Sequence, residues 1–462
     1  MVKQSRETSS APRGGDTVTT KLLRIAAKAR QERQLKFINL YHLMNEELLL
    51  MCFQRLSADK AAGIDEVTKE QYAEELEAKL QELVSRLHQM AYRPQPVRRV
   101  YIPKAGSDKQ RPLGIPCLED KLVQSALARI LEAIYEPDFI ENSFGFRSGR
   151  SCHDALRELS QTVEWEGTNY IAEADIKGFF DSVTHEWMMK MLSHRIADQR
   201  VLRLVKRFLK SGVIEQGEKI VSAEGVPQGG SISPILANVY LHYALDLWFE
   251  KVYRQSCKGK AKLIRYADDF VVCFQHREDA MRFPTGLTER LAKFGLEVEP
   301  SKTKVLEFGR DAARQARGRG ERPGTFDFLG FTHYCSRTKD GSRFRMKRVT
   351  SRKKFRVKLA SLKQWLKQTR TMPTRWILAQ VGRKLLGHYA YYGVTDNHRG
   401  LVRFYRAATR LLYKWLNRRS QRRSYRWAEF RVLLQRLPLP LPRVRVHLFY
   451  RTENGYLGSR VR

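Results

Sequence analysis

The run Arg265-Tyr266-Ala267-Asp268-Asp269-Phe270-Val271-Val272 leaves this chain few ways to fold. Two adjacent carboxylates stand between aromatic and β-branched residues, the pattern of a β-hairpin whose tight turn carries both acids. One face of such a hairpin packs into a core while the turn presents Asp268 and Asp269 to solvent. Carboxylates held this close repel each other unless a cation joins them. Mg²⁺ is the natural cation, because it takes a few carboxylates together with substrate phosphates. A pair of Mg²⁺ ions drives in-line phosphoryl transfer by holding both the attacking and the leaving oxygen. Asp-Asp also occurs in plain surface turns, so the motif needs company.

A third carboxylate supplies it. Tyr170-Ile171-Ala172-Glu173-Ala174-Asp175 reads as a strand ending at an acid, followed by a turn and a helix near 184–193. Asp175 beside the hairpin completes a three-carboxylate cage, and the Ile176 carbonyl offers one more hard oxygen ligand. Between the two acidic segments, residues 224–234 are rich in Pro and Gly and open an apolar stretch over 235–249. Ser233 or Ser231 can cap the helix that follows. A Gly-rich turn at a helix start suits close approach to a nucleotide or a template backbone.

Charge is divided very unevenly. The chain of 462 residues carries a net +36, yet residues 310–462 hold 39 Lys/Arg against 7 Asp/Glu. The preceding 309 residues hold 46 against 42. A polyanion bound mainly by the last third is the simplest cause. The rival is a membrane-surface patch. Aromatics interleaved with basic residues, as in Phe404-Tyr405, Tyr413-Lys414-Trp415 and Tyr425-Arg426-Trp427, favour RNA over one amphipathic stripe. The length predicts two or three domains. No apolar stretch approaches the roughly 20 residues that span a bilayer, and residues 1–20 lack the apolar centre of a secretory signal. The six cysteines are scattered, which argues against a zinc site or a disulfide framework and fits a reducing cytoplasm.

Further fragments follow in a telling order: Ala62-Gly63-Ile64-Asp65, Val100-Tyr101-Ile102-Pro103-Lys104, Gln110-Arg111-Pro112-Leu113-Gly114-Ile115-Pro116, Phe144-Gly145-Phe146-Arg147-Ser148-Gly149-Arg150-Ser151, Pro300-Ser301-Lys302-Thr303-Lys304 and Phe328-Leu329-Gly330-Phe331. With the acidic segments, they make the chain resemble the reverse transcriptases of bacterial group II introns, from about Ile38 to the C-terminus. The resemblance implies an α+β right-hand polymerase of fingers, palm and thumb, with a helical thumb and a small basic C-terminal region. It implies an RNA-directed DNA polymerase that uses dNTPs and two Mg²⁺, with Mn²⁺ as a possible substitute. It further implies a maturase that binds its group II intron RNA to aid splicing and retrohoming. Its partners would be that RNA or another RNA template and a DNA primer or target, with no membrane and no stated oligomeric state. Its place would be the bacterial cytoplasm, at the nucleoid when DNA-bound. Longer family members end in a Cys/His-bearing HNH nuclease domain. Nothing after Arg418 supplies those ligands, so second-strand cleavage is expected from elsewhere.

On this reading residues 1–35 are a basic tail with a short helix over 21–34, and 36–168 an N-terminal extension and fingers. Helices are predicted over 43–56, 69–90 and 120–135, and a finger hairpin over 97–103 and 111–115. Residues 169–309 are the palm. Residues 310–324 show no hydrophobic period and read as a flexible basic loop. Strand chemistry over 325–334 and helices over 351–369, 374–392 and 399–417 make up the primer grip and thumb within 325–417. Residues 418–462 form a basic DNA-binding-like tail in which Leu437-Pro438-Leu439-Pro440-Leu441-Pro442 cannot be helical.

Each residue then takes a role. Asp175, Asp268 and Asp269 are the catalytic metal ligands, with the Ile176 carbonyl beside them. Lys104 and Arg111 face the incoming triphosphate, Arg as a bidentate clamp and Lys as a point charge. The family's aromatic five residues beyond the strand acid, here Phe180, excludes a ribose 2′-hydroxyl by clash; Phe179 competes for that role. Gln228 touches the nucleotide or template base pair. Lys302 is a candidate general acid for the pyrophosphate leaving group. Residues 328–331 resemble the primer grip. Two alternatives stand: a domesticated reverse transcriptase in repair or antiviral defence, and a splicing chaperone without catalysis.

Overall fold

The structure, a computed structural model, describes residues 17–103, 110–215, 218–220, 224–226, 229–421 and 424–448. The chain begins with helices α1 (Val18–Gln31), α2 (Glu46–Arg55), α3 (Lys69–Ala73) and α4 (Leu76–His88), then strands β1 (Val97–Pro103) and β2 (Gln110–Ile115). Helices α5 (Leu118–Tyr135) and α6 (Cys152–Trp165), strand β3 (Tyr170–Ala174), helices α7 (His185–Ser193) and α8 (Gln199–Leu209), strands β4 (Val213–Glu215) and β5 (Glu218–Ile220) and helix α9 (Ser233–Leu241) follow. Next come β6 (Ala261–Tyr266), β7 (Asp269–Phe274), α10 (Arg277–Ala292), β8 (Lys304–Glu307), α11 (Arg310–Gly318), β9 (Thr325–Phe328), β10 (Phe331–Arg337) and β11 (Phe344–Thr350). Helices α12 (Arg352–Thr369), α13 (Thr374–Tyr392), α14 (His398–Leu416) and α15 (Trp427–Arg436) close the described chain.

These elements sort into two compact units. The first comprises residues up to Arg99 with Gly114–Phe139 and Thr184–Val239. Its axis is α5, against which α1 and α2 pack. The sequence reads as an amphipathic helix there, yet α5 is buried on nearly every face, Asp120, Lys121 and Gln124 included. Asp120 survives burial by accepting from the Tyr92 hydroxyl and from the Gln95 N–H at 3.0 Å. The expected helix over 69–90 is two helices: Thr68 and Gln71 form a capping box on α3, and the chain restarts at α4. The expected helix over 43–56 begins later, because Asn45 caps α2 by accepting from Leu48 N–H.

The second unit comprises Val100–Leu113, Ile140–Val183 and Tyr240 onward. Its main sheet has the strand order β6-β7-β3-β8, antiparallel throughout. A second sheet is the meander β9-β10-β11. One hydrophobic cluster joins Phe144, Ile171, Ile264 and Phe308 to Phe331, Leu385, Tyr389 and Phe404. That cluster spans both sides of residue 309. The basic segment after Gly309 is a helix, α11, not a loop. Ala312 and Ala316, four apart, are its buried stripe. Alanine is the strongest helix former, and a stripe this small leaves no trace in a search for large apolar residues. Helix α15 also lies in the tail, where its Phe430 is buried against Tyr413 and Trp427 with ring centroids 5.2 and 5.5 Å away. Of the interleaved aromatics, Phe404 and Trp415 are buried, Tyr405, Tyr413 and Tyr425 are half-buried against the same cluster, and Trp427 is exposed. Among the described residues no helix is long and apolar enough to cross a membrane.

Candidate active site

The acids of the second unit meet at one end of its main sheet. Strand β7 is central, and Phe270 through Phe274 are buried on both faces, not on one. A continuous apolar run is the signature of such a strand. The β6–β7 turn consists of Ala267 and Asp268, with Tyr266 paired to Asp269. Asp268 therefore sits in the turn, and Asp269 is the first residue of β7. In the β3–β7 register the last pair is Ala174 with Phe270. One step beyond, Asp175 stands across from Asp269, on the same face of the sheet.

Ala267 has φ +57°, a left-handed conformation that costs a non-glycine residue energy unless its surroundings enforce it. Two features enforce it here. Arg265 is fully buried, and its Nη1 donates to the Ala267 carbonyl at 2.9 Å. Its Nε and Nη2 donate to the two carboxylate oxygens of buried Asp246 at 2.8 and 2.5 Å. Behind the turn, Phe144 N–H donates to the Arg265 carbonyl at 2.8 Å. A Cβ on Gly145 would come within 2.2 Å of the Ala267 nitrogen, so the backbones touch only because residue 145 is glycine. Asp246 ends a π-helical turn, His242–Asp246, that continues α9. The sequence signal for it was an acid inside an apolar stretch; such acids are seldom buried unpaired.

The carboxylates feel one another. Removal from water raises Asp268, Asp175 adds to the rise, and Arg111 and Arg265 oppose it. Desolvation and the charges of Asp268 and Asp175 push Asp269 up to about 7. The Asp269 side chain keeps solvent exposure, which weakens the desolvation cause and leaves the neighbouring carboxylates as the firmer one. The Leu329 N–H acts on Asp269 in the opposite direction. Leu329 and Gly330 form the two-residue turn between β9 and β10, with φ +50° and +77°. Both angles are positive, as a tight hairpin turn requires. The strand chemistry over 325–334 takes the form of a hairpin whose tip reaches Asp269.

Lys302 belongs to this cluster: its Nζ donates to Asp175 Oδ2, and that bond raises the Lys302 pKa. Glu299 N–H donates to the Asp175 carbonyl at 2.8 Å and brings the Pro300–Lys302 turn to the strand end. Ile176 bridges to Val298, but the two bonds flanking that bridge use Lys177 N–H and the Asp175 carbonyl. The Ile176 carbonyl takes no part in those bonds. Of the adjacent rings, Phe179 is buried in a T-shaped contact with Tyr240, ring centroids 6.4 Å apart, and Phe180 is half-buried. Arg111 is exposed on β2 and its charge reaches Asp268. Lys104 and Gln228 lie outside the described residues. The expected cage is not preassembled: among the described residues no three His, Cys, Asp or Glu side chains stand close enough to hold a metal. Like charges repel, and Asp175 takes Lys302 as its cation. The donor set remains one of hard oxygens, which suits a hard divalent ion.

Comparison with known proteins adds independent information. Residues 102–333, half of the chain, match the family described as reverse transcriptase (RNA-dependent DNA polymerase). Arg111, Asp175, Phe180, Asp268, Asp269 and Lys302 all fall within that span. The chain is 40% identical over 225 residues to the group II intron-encoded protein LtrA of Lactococcus lactis subsp. cremoris, covering 48% of this chain and 37% of that protein. It is 38% identical over 239 residues to protein YkfC of Escherichia coli K12, covering 46% and 62%. An uncharacterized 91 kDa protein in the cob intron of Schizosaccharomyces pombe is 37% identical over 219 residues, covering 46% and 26%. The chain thus spans less than two thirds of each of these relatives.

Proposed function

The chain belongs to the reverse transcriptase (RNA-dependent DNA polymerase) family, and from that premise we propose that it is an RNA-directed DNA polymerase extending a primer 3′-hydroxyl on an RNA template with dNTPs. The observation that carries this reading is the register that stands Asp175 across from Asp269, with Asp268 in the intervening turn. Asp175, Asp268, Asp269 and the Ile176 carbonyl would hold two Mg²⁺, with Mn²⁺ as a substitute. The ions would stabilise the attacking and leaving oxygens. Lys302 exchanges Asp175 for the leaving pyrophosphate and acts there as the general acid. Arg111, with Lys104 and Gln228, receives the triphosphate and template, and Phe180 excludes the ribose hydroxyl. In this reading 36–168 serves as extension and fingers, 169–309 as palm, and 325–417 as primer grip and thumb. The similarity to intron-encoded proteins supports a second role, binding a group II intron RNA to aid splicing and retrohoming. The cytoplasm, with the nucleoid during DNA binding, is the place such work requires.

Primer extension on poly(rA)/oligo(dT) tests the polymerase. Asp175→Ala and Asp268→Ala should each abolish synthesis while RNA binding persists, because the acids and most of the basic surplus lie in different stretches of the chain. Chelation should stop the wild-type enzyme, and Mg²⁺ should restore it. Extension at the wild-type rate by either variant would sink the assignment.

A further inference from the structure

A second polar site lies at the other end of the main sheet. A cavity of about 1310 Å³ opens between α6, α11 and the β10–β11 hairpin, wholly within the second unit. Asp175, Asp268, Asp269, Lys302 and Arg111 do not line it. Strand β3 separates it from them: Tyr170 pairs with Glu307, three residues before α11 begins, whereas Asp175 follows the far end of β3. Five residues of strand span about 16 Å.

The walls carry a consistent chemistry. Arg310, Arg314 and Arg317 recur along one exposed side of α11, opposite the buried Ala312 and Ala316. Each helical turn advances about 5.4 Å, a spacing comparable to that of successive phosphates on a strand. Arg337 and Arg343 face in from the hairpin, and the Trp165 ring, 69% exposed, stands at the end of α6. The acids of the lining are engaged by the protein. Glu164 accepts from Met346 N–H at 3.0 Å, Asp311 pairs with Arg314, and Glu321 pairs with Arg319 at 2.9 Å. No ion pair joins Arg317 or Arg343 to a carboxylate among the described residues. Pockets for small ligands measure about 300–1000 Å³, so this one exceeds what a single nucleotide fills. Arginine planes and an exposed indole along a cationic groove are what an unpaired nucleic-acid strand requires.

We propose that the groove between α11, the β10–β11 hairpin and Trp165 docks a single-stranded segment of RNA that is not the template in the active site. Its phosphates lie along Arg310, Arg314 and Arg317, and one base stacks on Trp165. This rests on the reading of the chain as an RNA-handling polymerase. It adds that the enzyme grips its RNA at a point remote from catalysis, as a protein that must hold a folded transcript while copying another strand would.

The test uses the full-length protein, a 5′-fluorescein-labelled U20 RNA, and anisotropy without primer, dNTPs or divalent ions. Arg310→Gln/Arg314→Gln/Arg317→Gln should weaken binding roughly tenfold and lower the magnitude of the log K versus log salt slope by about 2, at about 0.7 per lost phosphate contact on a single strand. Trp165→Ala should weaken binding at least fivefold and leave the slope alone, since stacking releases no counterions. Thermal melting of both variants checks that they fold. Wild-type affinity and slope in the triple variant would overturn the proposal. So would a dT20 probe that binds as tightly and loses as much, which would make the groove a general strand site. Absence of primer extension by the wild-type protein would instead remove the polymerase reading, and the binding differences above would still stand.

Discussion

Asp246 is expected to act on catalysis without touching substrate. Its two oxygens hold Arg265 by bonds of 2.8 and 2.5 Å, both side chains are fully buried, and Arg265 in turn holds the Ala267 carbonyl. Asp246→Ala leaves the guanidinium buried with its counter-charge gone, which typically costs about 3–5 kcal/mol. The double variant Asp246→Leu/Arg265→Met replaces the pair by apolar side chains of similar bulk, and such replacements are often neutral or stabilising. Stability should therefore return in the double variant. Activity should not return. The turn loses a hydrogen bond from a charged donor, about 1.5–3 kcal/mol, while Ala267 keeps its unfavourable φ. At 1.4 kcal/mol per factor of ten, the turn geometry that presents Asp268 becomes roughly 10- to 100-fold rarer. Urea denaturation and single-turnover primer extension measure the two effects separately. A double variant that recovers both stability and extension would show that the pair only fills the core. An Asp246→Ala cost below about 1 kcal/mol would refute the burial argument itself.

Phe180→Val should raise ribonucleotide incorporation relative to deoxyribonucleotide, while Phe179→Ala should mainly lower stability because that ring is buried; the reverse pattern in a competition assay would exchange the two rings. His388 lies stacked 3.8 Å from Phe404 and 4.8 Å from Tyr392, and burial, aided by the Lys358 charge, pushes its pKa down to about 3. The unfolded chain takes up the proton near pH 6.5, so this residue's contribution is complete above that pH and is lost as pH falls toward 3. At pH 5 the loss is about 2 kcal/mol, from 1.5 pH units at 1.36 kcal/mol each. Urea denaturation at pH 7 and 5 should show His388→Phe losing that much less than wild type on acidification, and an equal loss in both would place the protonation elsewhere.

Much of the candidate site's placement was legible because its signals are local. The acids declare themselves by type and spacing, and β3 and the β6–β7 hairpin formed where hydrophobic pattern put them. Other features depend on tertiary partners. That β7 is buried on both faces shows locally in its unbroken apolar run, but the elements that pack against it, α10 and β9 among them, come from later in the chain. Arg265 looks like any basic residue before a turn; only the fold brings Asp246 to it. The Leu329 N–H reaches Asp269 because β9 and β10 return across the sheet end, and sequence spacing of 60 residues hides this. The division of the Phe179-Phe180 pair into a buried and a half-buried ring follows the turn after Gly178, whose φ is +55°.

The basic C-terminal third shows why charge and core cannot be assigned to separate regions. Helices α12 to α14 present Lys and Arg outward, yet Leu362, Leu385, Phe404 and Leu412 on their other faces belong to the same cluster as Phe144 and Ile171 of the main-sheet region. Even a tail arginine can be internal: Arg419 donates to Thr374 Oγ1 at 2.9 Å and to the Met372 carbonyl at 3.0 Å, tying the chain after α14 back to the start of α13. Its neighbour Arg418 lies over the Trp415 ring, at 5.7 Å. Neutralising Arg419 would therefore loosen the helical packing as well as remove charge, so a weaker grip on RNA would not identify a phosphate contact. Cutting the chain after Gly309 would strip Phe308 of its edge-to-face partner Phe326, 4.8 Å away, and open the cluster to water. The RNA-binding surface proposed for this third, built on helices that also complete the core, must be dissected by exposed residues alone. The arginines of α11 meet that condition, because the face that anchors their helix is made of alanine and bears no charge.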